Sequence, residues 1–100
     1  MSRQDRPLKE SYPLPADLYP VWIRYIEKAA LQDEQPAANE AAVRLMRANI
    51  LSIGRLSEYS FDQLKNIPYV ETHIPMLKKL LARISANPQI ARPIKKDPLQ

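Results

Sequence analysis

Apolar side chains recur along this chain at helical intervals, and no window alternates convincingly between apolar and polar as a strand does. Leu18, Trp22, Tyr25, Ile26 and Ala29 follow one another at steps of four, three, one and three residues. That spacing predicts a first helix starting between Pro15 and Pro20 and running to about Gln32, with Asp17 as candidate cap and Pro20 tolerated only in a first turn. Val21 and Ile23 fall off the predicted face. A helix so broadly apolar belongs either at the centre of a bundle or beneath a partner that covers its second side. The polar stretch DEQPAANE (33–40) reads as a loop, with Pro36 opening a second helix whose stripe is Val43, Met46, Ile50 and Ile53. Glu40 and Arg44 form an i, i+4 ion pair on its solvent side. Gly54, the sole glycine, follows that stripe and is expected to end the helix in the left-handed conformation.

Ser60 and Gln63 have the spacing of a capping box, which predicts a short third helix over about 61–66. Pro68 and Pro75 divide the chain again. A last helix is expected from Ile74 or Pro75 to just before Asn87 and Pro88, with Met76, Leu77, Leu80, Leu81 and Ile84 on one face and Lys78, Lys79 and Arg83 on the other. Neither a fixed-period repeat nor a sustained heptad is present. The predicted fold is all-α, a small bundle of about four helices, one of them short, with proline-rich extended arms at both ends. Seven of the ten prolines lie in those ends, at Pro7, Pro13, Pro15, Pro20, Pro88, Pro93 and Pro98. Proline resists helix formation and favours polyproline II, so residues 1–14 and 88–100 are assigned as arms and 15–87 as the helical domain. A folded part of about 70 residues is near the lower limit for an independent core and would gain from a partner or from self-association.

Composition narrows the chemistry. With no cysteine, neither a disulfide framework nor a thiolate zinc site can form, and nothing points to an oxidising compartment. No apolar run approaches the roughly 18 residues of a membrane span, and MSRQDRPLKES lacks the features of a signal peptide, so the expected setting is cytoplasmic. His73 is the sole histidine, with Glu71 close by but no nucleophile, Gly-rich loop or metal-ligand spacing to join it. It reads as a surface or capping residue. The expectation is a protein that is not an enzyme and takes no metal, cofactor or small-molecule substrate.

Charge is unevenly placed. Residues 1–60 hold eight basic and eight acidic side chains, whereas 61–100 hold seven basic against Asp62, Glu71 and Asp97, so the net +4 resides in the C-terminal part. Lys78, Lys79 and Arg83 on the last helix, with Arg92, Lys95 and Lys96 on the arm, form a candidate polyanion-binding set. The same residues also serve solubility and complement the helix dipole. Residues 60–84, with L-x-x-I-P-x-V followed by a basic amphipathic helix, resemble a helix-hairpin-helix DNA-binding unit. That resemblance implies a hairpin whose glycines let backbone N–H groups approach a phosphate. The two glycine positions here hold Tyr69 and Glu71, a bulky side chain and an anion, which removes the physical basis of that contact, so the resemblance counts only as a minor point in favour of nucleic acid.

Tyr12, Tyr19, Trp22 and Tyr25 gather where the N-terminal arm meets the first helix, and such rings serve either the core or a binding hot spot. The functional expectation is therefore a non-enzymatic protein-interaction module, an adaptor, regulator or self-associating subunit, that uses these aromatics. The alternative is a nucleic-acid-binding or nucleoprotein-accessory protein that uses the basic last helix and tail.

Overall fold

The computed structural model describes residues 6–93, and among them every regular element is helical, with no strand. The described residues form five α-helices: α1 (Leu8–Ser11), α2 (Gln35–Arg47), α3 (Ile53–Ser57), α4 (Phe61–Lys65) and α5 (Ile74–Ala86). Short 3₁₀ helices occupy Ala16–Leu18, Ile23–Ala29, Gln32–Glu34, Glu71–His73 and Pro88–Ala91. The two long helices, α2 and α5, pack on each other and on the 3₁₀ helix Ile23–Ala29, which also touches α3 and Pro88–Ala91.

The segment 16–29 departs from the single α-helix that its spacing predicts. Two 3₁₀ pieces flank a stretch at 19–22 that pairs instead with residues 51–54, and Trp22 and Ser52 form an isolated antiparallel bridge. Three residues per turn stack positions i and i+3. Ile23, Ile26 and Ala29 therefore form one buried ridge, while Arg24 and Glu27 pair across the same interval at 2.8 Å. Val21 and Ile23, off the expected face, are buried, and Trp22 is exposed. The breadth of apolar sequence here reflects a central position in the bundle.

In α2 the buried face is Ala38, Ala41, Ala42 and Leu45, whereas Val43 and Met46 are only half-buried. Small side chains let α2 approach the bulky ridge closely, a pattern that a search for large apolar residues passes over. The helix ends before Ile50. The Asn49 N–H donates to the Met46 carbonyl (3.0 Å), the Ile50 N–H donates to the Leu45 carbonyl (2.9 Å), and Asn49 takes φ 66°, which together make a Schellman cap. Asn49, not Gly54, is the left-handed residue.

Gly54 lies inside α3 and has no positive φ. Its requirement is space, since a Cβ there would sit 2.7 Å from the Tyr19 carbonyl oxygen. At α4 the capping box is formed as its spacing predicts: the Gln63 N–H donates to Ser60 Oγ (3.1 Å) and the Ser60 N–H donates to Gln63 Oε1 (2.9 Å). In α5, Leu77, Leu80, Leu81 and Ile84 are buried and Met76 is half-buried.

The described parts of both arms lie against the bundle. Pro7 opens the single turn α1, whose Leu8 is buried and donates its N–H to the Tyr59 carbonyl (2.8 Å). Pro13 of the same arm accepts a hydrogen bond from Ser85 Oγ on α5 (2.8 Å), and at the other end Ala91 is buried. Proline prevents long helix in these segments without preventing an apolar residue from docking.

Candidate interaction surfaces

The four aromatic residues gathered in sequence separate in space. Tyr25 is only 2% exposed, with the Lys28 ammonium over its ring at 5.1 Å and no hydrogen-bond partner for its hydroxyl. It belongs to the core. Tyr12 is half-buried and meets Phe61 edge-on, with ring centroids 6.2 Å apart. Tyr19 and Trp22 remain at the surface, each 38% exposed.

Backbone pairing explains why those two stand out. The Ile23 N–H donates to the Leu51 carbonyl, the Ile53 N–H to the Val21 carbonyl and the Gly54 N–H to the Tyr19 carbonyl, each at 2.9 Å. Val21, Ile23 and Ile53 turn into the core from this pairing. Tyr19, Trp22 and Leu51 do not, and they are three of the five large apolar side chains exposed among the described residues. The Arg24 guanidinium lies 5.6 Å over the Trp22 ring and is held by Glu27, itself bonded to Asn39 Nδ2 at 3.2 Å. The rim is thus apolar side chains on rigid backbone, edged by one fixed cation. Leu51 escaped sequence reasoning because it falls off the stripe of a predicted second helix running to Ile53, whereas α2 ends at Arg47 and Leu51 lies in the connection to α3.

The basic residues do not form one open face. Arg83 reaches across the bundle: its Nη1 donates to the Ala29 carbonyl (2.9 Å) and its Nη2 to Glu34 Oε2 (3.2 Å). Lys79 Nζ lies 4.0 Å from the same carboxylate. The Arg83 hydrogen bonds, the Leu31 N–H and the nearby cations hold the Glu34 carboxyl at about 2, well below its ordinary 4.5. Arg92 donates to Asp17 at 2.8 Å and lowers that carboxyl as well. Lys78 is exposed with its ammonium 5.0 Å over the Phe61 ring. Arg83 and Arg92 therefore clamp 3₁₀ segments in place, which the absence of acidic residues within α5 did not reveal. Lys95 and Lys96 lie outside the described residues.

A second surface lies where the α4–α5 turn meets α2. Tyr69, at the first glycine position of the hairpin-like sequence, has φ 68° and is 70% exposed. A left-handed conformation costs a bulky L-residue about 1 kcal/mol or more, and an exposed ring recovers little of that by packing. Arg44 lies 5.2 Å over the ring and 3.5 Å from Glu40. Tyr69 and Arg44, with Arg47, Ala48, Ile67 and Pro68, line a cleft of about 250 Å³. A neighbouring cleft of about 380 Å³ runs along α2 from Pro36 to Arg47 and shares both arginines.

His73 precedes α5 at its N-cap position, without a capping side-chain bond. Among the described residues no group of three or more His, Cys, Asp or Glu is placed to hold a metal ion, and no helix is long and apolar enough to cross a membrane. No family model matches the chain, and neither a curated protein nor a solved structure matches it.

Proposed function

We propose that this chain is a non-enzymatic protein-interaction module that docks through the rim formed by Tyr19, Trp22 and Leu51. One observation carries the reading: three of the five large apolar side chains exposed among the described residues line a single backbone pairing. A flexible surface would lose conformational entropy on binding, whereas a rim fixed by backbone hydrogen bonds on both sides loses little. Trp and Tyr are the side chains that most often carry interface energy, and Arg24 beside Trp22 supplies a polar edge. The occupant is a second copy of the chain or another protein with a complementary apolar patch.

The test compares the parent with Trp22→Asp, an exposed position whose change leaves the core intact. Solution mass by light scattering and co-purification from the native host are measured side by side. Support is an oligomer, or a retained protein, that Trp22→Asp releases. Association unaffected by Trp22→Asp contradicts the proposal, as does a monomer that retains only nucleic acid and sheds it in salt.

A further inference from the structure

We propose that the cleft between α2 and the α4–α5 turn is a second docking site, for an extended polypeptide segment carrying a carboxylate beside an apolar side chain. The left-handed conformation occurs at two non-glycine residues among those described, Asn49 and Tyr69. Asparagine adopts it readily, and Asn49 closes α2. Tyrosine does not, and the fold makes little use of the Tyr69 ring, which is 70% exposed. Retaining an unfavourable backbone conformation that holds an aromatic ring out of the core points to a use for the ring.

Two cations flank that ring. Arg44 is preorganised, stacked on Tyr69 and tied to Glu40. Arg47, exposed and one turn further along α2, has no acidic partner among the described residues. A guanidinium with open donors matches a carboxylate, and Ile67 and Pro68 offer apolar wall next to it. From Pro36 to Arg47 the helix advances about 16 Å at 1.5 Å per residue, the span of about five extended residues. A single nucleic-acid strand fits less well, because Glu40 lies in the middle of the path and repels a phosphate chain.

The experiment selects a displayed random-peptide library on the full chain, then measures the winning peptide and labelled oligothymidylate by fluorescence anisotropy. Enriched peptides should carry Asp or Glu beside an apolar residue. Arg47→Glu should weaken the winner by about tenfold or more. Tyr69→Gly should weaken it too while leaving the melting temperature unchanged or higher, since glycine relieves the backbone; a merely structural tyrosine would lower it. Trp22→Asp shares no residue with this cleft and should leave the peptide bound, so the two docking surfaces fail independently. The inference is overturned if no peptide is enriched, if winners lack carboxylates, if Arg47→Glu has no effect, or if oligothymidylate binds more tightly than the peptide.

Discussion

Residues 74–86 and 23–29 each bury five residues, yet they solve the burial problem differently. Helix α5 has one apolar face and one charged face, and the α-helical period separates them cleanly. The 3₁₀ helix Ile23–Ala29 buries Ile23, Tyr25, Ile26, Glu27 and Ala29, positions that surround its axis. An element packed by neighbours on several sides has no amphipathic period to display, and its tighter winding is imposed from outside by α2, α5 and the pairing with 51–54. The lesson is that periodicity reports secondary structure only where a solvent-facing side exists to break the apolar run.

The largest expected effect tests whether the 3₁₀ segment is the structural centre. Ile26→Ala should lower stability by about 2–5 kcal/mol, at least as much as Leu80→Ala on α5, in chemical denaturation. A clearly smaller loss at Ile26 would move the centre to α5. The next effect addresses the pairing that divides residues 16–29. In an ordinary helix interior, replacing glycine by alanine stabilises by about 1 kcal/mol. At Gly54 the added Cβ meets the Tyr19 backbone, so Gly54→Ala should instead destabilise by about 1–3 kcal/mol. A stabilised variant would show that the 19–23 segment yields freely.

Smaller effects sharpen how the two elements are joined. Arg83 on α5 holds Glu34 and the end of the 3₁₀ helix, and the Glu34 carboxyl is lowered from 4.5 to about 2. A depressed carboxyl contributes stability that is fully present above its unfolded value and is lost as pH falls from 4.5 toward 2. Melting temperature should fall across that window, and Glu34→Gln should flatten the fall; Asp17, shifted the same way by Arg92, leaves a residual slope. An unchanged slope in Glu34→Gln would show that the clamp contributes nothing. The smallest effect concerns Tyr25, whose buried hydroxyl lacks a partner. Tyr25→Phe should be neutral or raise stability by about 1 kcal/mol, and a clear loss would indicate a bond to that hydroxyl.

Much of the architecture was legible because local rules act locally. The α4 capping box, the start and end of α5 and its buried Leu77, Leu80, Leu81 and Ile84 follow from spacing and proline positions alone. The α2 face was misread because alanine carries it, and Gly54 because close approach by a distant segment leaves no trace in its neighbours. The interaction surfaces were legible only in part. Tyr19 and Trp22 were visible as aromatics, but their exposure depends on pairing with residues some thirty positions away, which also brings in Leu51. Arg83 and Arg92 looked like free cations because Glu34 and Asp17, their partners, lie 49 and 75 residues distant.

The most direct test of the docking account is light scattering and host co-purification on the parent and on Trp22→Asp. The account predicts an oligomer, or a bound protein, in the parent that disappears in the variant while the circular dichroism spectrum is unchanged. Association equal in parent and variant would contradict it.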